Sequence, residues 1–458
     1  MTQETQSQNL MFETMQPTRL FIRCAVPSMI SMAITSIYTI TDGIFVGRFI
    51  GAEALAAINL VMPIIAISFA LSDMIAVGSS VQISIRLGEK KNEEAGIIFT
   101  ICSLIIICIS AVIGLLGYFI AEPLVRFMGA DQAVTDLAAQ YIKVFAVFAP
   151  FILVFFAIDN YLRVCGHVHY SMAINITAAV VNIILDYLFL AVLHLGIDAA
   201  AFATCLSFTL GTIIGYIPFI RKKLPLRFVK GKIKSRVILN IIYNGSSEFF
   251  SNIAGSILML ILNSILLHIS GSMAVAAFSV VLYVDSIVAS ILYGMTDSLQ
   301  PSISYCYGAK LRKRMFSMEK RVLIAGAVIS FTAFIFMRYF GSNIISLFIK
   351  EDNPSLLEMS LTAMQLYSFT YLISWIDVGL TAFFTAVNKP GISLSISIGR
   401  SLIFPLTIIW ILVYFFGLNG VWLTAAAGNT MTAATAIFFL LRFLKKERLK
   451  KEDDIVSL

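Results

Sequence analysis

Two carboxylic acids stand in stretches of this chain where a charge is expensive. Asp42 lies six residues before Arg48, at the end of the first long apolar segment. Asp186 closes the run Ile176-Thr-Ala-Ala-Val-Val-Asn-Ile-Ile-Leu-Asp-Tyr187, which is otherwise nearly all apolar. An ionisable side chain at bilayer depth costs roughly 2.5–3.5 kcal/mol on insertion scales, so it is first read as functional. If Arg48 marks the outer surface, Asp42 sits ~9 Å below it at 1.5 Å per helical residue. Its carboxylate would there bind a proton or a small cation; a helix cap or an ion pair with Arg48 is the structural alternative. Asn182 precedes Asp186 by four residues and shares its helix face. The alternative for that pair is a polar contact holding two helices together.

The other acids divide into two groups. Glu248 and Asp377 fall well inside apolar segments and are candidate cavity carboxylates for a cationic compound, with a packing role as the alternative. Asp159 either faces the cavity with them or turns toward Arg163, one helical turn on. Asp73, Asp285 and Asp297 are read as helix-packing residues or residues of the cytoplasmic helix ends. His167 and His169 flank Val168, and His194 and His268 stand alone, so no metal site is expected beyond Na⁺ at the acids. The six cysteines show no C-x-x-C spacing and read as buried free thiols. Pro27 removes a backbone donor inside the first segment and marks a place where that helix can bend.

The elements that carry these residues are membrane spans. The chain is 59% hydrophobic and 13% charged, with a mean hydropathy of +0.90, whereas soluble domains carry about 25% charged residues. About 20 apolar residues cross a bilayer as a helix. Twelve such segments are expected, near 20–46, 54–84, 97–121, 137–161, 168–193, 198–220, 237–267, 274–306, 321–341, 357–386, 391–416 and 420–443. They are continuously apolar, without the alternation of a transmembrane β-barrel. Residues 1–18 are polar and lack the pattern of a cleaved signal peptide. The longest outer loops are expected near 121–136 and 342–356.

All Lys and Arg except Arg48, Arg126, Lys143, Arg338, Lys350 and Arg400 fall on one side of this arrangement if residues 1–18 are cytoplasmic. This asymmetry makes the chain a multi-pass protein of the cell membrane with both termini in the cytoplasm. It accounts for the net charge of +7 through topology and contact with lipid headgroups, so no nucleic-acid partner is expected. No obligate protein partner is evident either.

The chain also repeats itself. Gly51, Ala54, Ala56, Ala57 and Val61 recur 220 residues later as Gly271, Ala274, Ala276, Ala277 and Val281. At the same offset Ile83, Ser84, Gly88 and Lys90 match Ile303, Ser304, Gly308 and Lys310. Two homologous six-helix lobes follow, 19–220 and 237–444, joined by the basic linker 221–236 and ended by a charged tail, 445–458. With six spans on each side of the linker the repeats are parallel, as in one class of secondary transporters.

The motifs Asp42-x-x-x-Val-Gly-Arg-x-x-Gly with Ala54-Leu-Ala-Ala57, Gly88-x-Lys90 and Gln300-Pro301-x-Ile-Ser-Tyr-x-x-Gly308-Ala-Lys310 resemble the MATE family of multidrug and toxic-compound extrusion transporters. The resemblance covers about residues 15–445. It implies an all-α fold of two six-helix lobes around a cavity that opens alternately to each side, and drug export in exchange for H⁺ or Na⁺, with no other cofactor. In the DinF-like branch a first-lobe site joins an acid on helix one and an Asn and Asp on helix five to an Asn on helix four and a Thr on helix six. Asn160 and Thr204 stand at those last two places. Asp42, Asn160, Asn182, Asp186 and Thr204 all offer hard oxygen ligands, suited to a proton network or small cation rather than a soft metal. The resemblance also links bending at Pro27 to the state of the acid.

The second lobe lacks the set. Asp42, Asp186 and Thr204 align with Leu262, the neighbourhood of Ile408, and Ala425, so coupling is expected in one lobe only. Aromatic faces plus a few carboxylates favour bulky, mainly cationic amphipathic substrates. The alternatives are a flippase for a lipid-linked precursor, which would need more intramembrane cations than Arg400 supplies, and a membrane-embedded enzyme, for which no H-E-x-x-H or nucleophile–base cluster is present.

Overall fold

The structure, a computed structural model, describes residues 11–127, 131–346 and 354–456. Among these residues there are helices and turns and no strand. Six spans form the first lobe: α1 (Pro17–Phe49), α2 (Ala52–Gly88), α3 (Asn92–Phe127), α4 (Gln132–Val164), α5 (Val168–Asp186, continued by a π-helical turn Tyr187–Val192) and α6 (Ile197–Ile220). The next two are arms of one 74-residue run, α7 (Ser235–Gly308), broken at Gly271 with φ 70° and ψ −165°. Then come α8 (Arg312–Ser346) and a span made of α9 (Pro354–Tyr367) and α10 (Ser374–Ala386), bent by 45° across the 3₁₀ turn Ser368–Leu372. The last two are α11 (Pro390–Ile398) joined by the π turn Gly399–Ile403 to α12 (Phe404–Phe416), and α13 (Leu418–Val456). Helices are the expected solution, because lipid offers no partner to an unpaired backbone group.

The helices outrun the apolar segments. α3 reaches Phe127 and α4 begins at Gln132, so the long loop expected near 121–136 is mostly helix. An i,i+4 pair, Arg126–Glu122 at 2.7 Å, and an N-cap, Asp131 Oδ1 accepting from the Val134 N–H at 2.8 Å, extend the two helices with polar residues. Residues 128–130 and 347–353 of the two expected loops lie outside the described residues. The tail is helical as well, since α13 continues to Val456, and Arg312 meets Glu447 at 3.1 Å. The linker is non-helical from Arg221 to Lys234, but Leu224 and Leu226 are fully buried, and the Val229 N–H donates to Thr100 Oγ1 at 2.9 Å.

The repeat is visible as geometry. Gly51 and Gly271, matched in sequence, both take positive φ (127° and 70°) where a helix must restart in a new direction, as do Lys90 and Lys310 (63° and 58°). A Cβ on Gly88 would sit 2.2 Å from the Tyr305 carbonyl oxygen, and one on Gly308 would sit 2.2 Å from that of Ile85. Ile85 and Tyr305 are themselves one repeat apart, so this approach of α2 and α7 is reciprocal. Gly78 meets the Ile241 carbonyl and Gly245 that of Met74 in the same way. Gly78 and Gly88 lie in the second half of α2, and Gly245 and Gly308 near the two ends of α7, where the lobes are drawn into backbone contact.

Candidate functional site

α1 and α5 pack side by side and bring Asp42 and Asp186 together. Asp42 stands two turns before the end of α1, and Asp186 is the last residue of α5 before the π turn. π turns inside helices recur at functional sites. The two carboxyls face each other within hydrogen-bonding reach. Asp186 is 0% exposed and Asn182 1%. Both Asp186 oxygens, Asp42 Oδ1 and Asn182 Oδ1 are buried without a hydrogen-bond donor from the protein. Four acceptor oxygens turned inward with no donor match a proton or small cation bound between them, since unpaired buried acceptors otherwise cost about 1–3 kcal/mol each.

The rest of the expected set is divided. The Asn182 amide donates to Thr204 Oγ1 on α6 at 3.2 Å, so α1, α5 and α6 meet at one site. Asn160 on α4 instead donates to the Phe156 carbonyl of its own helix at 3.0 Å. Pro27 is buried inside an unbroken α1. Two residues that the sequence did not single out lie within electrostatic range of both carboxylates: Tyr38 on α1 and the buried Tyr141 on α4. Tyr38 is one turn before Asp42 on the same face. Nothing near Tyr141 in sequence points to Asp42, because only the fold brings the two into one region.

A small cavity of about 50 Å³ opens next to this site, between Met32, Tyr38, Phe156, Asp159, Asn175 and Phe208, among others. Asp159 lines it, yet its carboxylate is already engaged. It pairs with Arg163, which is 3% exposed, and accepts from Ser171 Oγ and from the Asn175 amide at 2.7 Å. Glu248 and Asp377 lie near Arg400, whose guanidinium stands 5.8 Å from the Tyr293 ring centre. Asp377 is 0% exposed; it accepts its neighbour's Val378 N–H at 2.9 Å and leaves Oδ2 without a donor.

Asp73 and Asp297 are partly exposed and lie within electrostatic range of Glu248 and Asp159; Asp297 also accepts from the Gln300 amide at 3.2 Å. Asp285 does serve packing: it accepts from the Tyr371 hydroxyl at 2.7 Å. Of the cysteines, Cys108 is exposed, on the face of α3 that also exposes Leu104 and Leu115, whereas the other five are buried. No group of three or more His, Cys, Asp or Glu is placed to hold a metal ion among the described residues.

Comparison with known proteins agrees with this fold. The MatE family model matches twice, over residues 27–188 and 249–411, once in each lobe. The "Multidrug export protein MepA" of Staphylococcus aureus (strain N315) is 24% identical over 436 residues, covering 94% of this chain and 95% of that protein. The protein of the same name from Staphylococcus saprophyticus is 23% identical over 443 residues, covering 96% of each. Among solved structures, "Crystal structure of MATE in complex with MaL6" superposes with a TM-score of 0.90 at 24% identity, over 97% of this chain and 99% of that one. "Outward-facing conformation of a multidrug resistance MATE family transporter of the MOP superfamily" does so with a TM-score of 0.88 at 23% identity, over 98% and 99%. With twelve spans in two matching lobes and the family model met in both, the chain belongs to the MatE family.

Proposed function

We propose that this chain is a secondary active antiporter that exports amphipathic, mainly cationic organic compounds across the cell membrane in exchange for H⁺ or Na⁺. The observation that carries the coupling is the facing pair Asp42–Asp186, buried with acceptor oxygens that no protein donor satisfies. The export direction rests on the relatives named multidrug export proteins. Both termini and the 221–236 linker are placed in the cytoplasm by the distribution of Lys and Arg. On that assignment the glycine-lined contact of α2 and α7 closes the cytoplasmic side.

The cycle follows from charge. Two carboxylates this close in a site of low dielectric cannot both stay charged without a cation between them, so the pair titrates as a unit. With the cavity open outward, a proton or Na⁺ enters and neutralises it. Asp42 sits on α1, and loading repositions that helix about Pro27, narrowing the cavity that Tyr38 helps to line. Drug then leaves outward, and the cation-loaded protein turns inward and discharges. Differential affinity of the two states for cation and drug drives the exchange, and linkage makes their mutual weakening reciprocal.

The flippase alternative has less support. A pyrophosphate site needs unpaired cations, whereas Arg163 is paired with Asp159 and Arg400 lies near Glu248 and Asp377. Transport in proteoliposomes under separately imposed pH and Na⁺ gradients tests the proposal. Drug uptake driven by one gradient and abolished in Asp42→Asn/Asp186→Asn supports it. Uptake independent of both gradients contradicts it.

A further inference from the structure

The residues just before α1 cross from one lobe to the other. Met11 and Phe12 are 9% and 2% exposed, buried like core residues although they precede the first span. On the first-lobe side Met11 packs on Gly166 in the α4–α5 turn: its Cε would lie 3.0 Å from a Cβ there, and Gly166 holds φ +78°. On the second-lobe side the Phe12 ring stands 5.6 Å from that of Tyr305. The Phe12 carbonyl accepts from Arg314 Nε at 2.6 Å, and Arg314 also donates to the Met15 carbonyl. The Tyr305 hydroxyl donates to Glu13 at 3.4 Å, and Arg321 donates to Thr18 Oγ1 at 3.1 and 3.0 Å.

Tyr305 is also the residue whose carbonyl abuts Gly88 across the lobe boundary. The segment therefore lies beside one of the close backbone approaches of the two lobes. One planar guanidinium grips two carbonyls of it, a fork that lysine cannot reproduce. Opening at this end must part the α4–α5 turn from the α7–α8 turn, and the segment touches both.

We propose that residues 11–18 form a latch that holds the linker ends of the two lobes together, and that its grip on Arg314 and Tyr305 must release before the lobes part there. The latch requires lobes that separate at this end, as the proposed cycle does, but it is independent of which ion or drug is carried.

The test uses the full chain in liposomes with its native cysteines replaced. Spin labels at His169→Cys and Lys313→Cys, both exposed, report the distance between the turns. The account expects Phe12→Ala and Arg314→Ala each to raise the long-distance population severalfold, with Arg314→Lys between them and the parent. Unchanged distances in the Phe12→Ala/Arg314→Ala pair overturn the latch. This reading needs no drug, so it stands apart from failure of the coupling scheme. A second arm bridges Glu13→Cys and Tyr305→Cys with a short reducible bifunctional thiol reagent. Freezing of the distance in its short form, reversed by reduction, supports the latch. Full cross-linking that leaves the long-distance population intact overturns it.

Discussion

Where the first lobe places Asp42, the second places Leu262, 8% exposed, in an apolar cluster with Leu266, Ile409 and Trp422. The counterpart of Thr204 is Ala425, packed against the same cluster. Both lobes retain the backbone devices of the repeat, the positive-φ glycines at 51 and 271 and the close approaches at Gly88 and Gly308. Folding and lobe contact are thus shared, while the carboxyl pair belongs to one lobe. Of the second lobe's acids, Asp285 accepts from a tyrosine hydroxyl, whereas Asp377 keeps one buried oxygen without a donor. The contrast is between Asp285, which a hydroxyl partners, and a pair whose buried oxygens no protein donor reaches.

The largest effect is expected at the pair itself. Asp186→Asn and Asp42→Asn should each reduce drug export to background while leaving the protein folded, monitored by transport in vesicles alongside gel filtration. Normal export in both variants would remove the first-lobe site.

Next comes the shared closure. Gly245→Leu would push a side chain into the Met74 carbonyl, since even a Cβ would sit 1.7 Å from it. Wedging α2 from α7 should lengthen the distance between spin labels at the linker ends, and the reciprocal Gly78→Leu should do the same. An unchanged distance in both would mean that the contact does not set the state.

A smaller effect is expected in the second lobe. Asp285→Asn loses a charge-assisted hydrogen bond worth about 1.5–3 kcal/mol, so thermal stability should drop while transport per folded molecule changes little. Loss of transport as complete as in Asp186→Asn would make the coupling two-sided. Smallest of all, Ala425→Ser adds one hydroxyl beside an apolar cluster and should leave transport near the parent's.

Much of this contrast can be read from the chain. The offset of 220 and the twelve apolar runs give the lobes, because the membrane forces backbone groups to pair locally and leaves hydropathy as a direct signal. Asp42, Asn182 and Asp186 stand out as polar residues in apolar runs. What escaped depends on packing between distant segments. Tyr141 comes within electrostatic range of the acids from α4, and Asp73 and Asp297 approach Glu248 and Asp159 only once α2 and α7 cross. Asp159 has two readings at i,i+4 to Arg163, and the ion pair of the folded chain decides between them. Helix ends were misplaced because hydropathy measures the hydrocarbon thickness, whereas capping and ion pairs carry α3 and α4 into water.

The central claim is that one cation site in the first lobe competes with drug. Its most direct test is drug affinity, measured on purified protein by equilibrium binding, as pH and Na⁺ are varied separately. Lowering the pH places a proton on the Asp42–Asp186 pair, and raising Na⁺ fills it, so either should weaken drug binding if that ion is the coupled one. The dependence should vanish in Asp42→Asn/Asp186→Asn and persist in Asp285→Asn. Drug affinity that is flat in both pH and Na⁺, or a dependence that survives the loss of both first-lobe acids, would contradict the account.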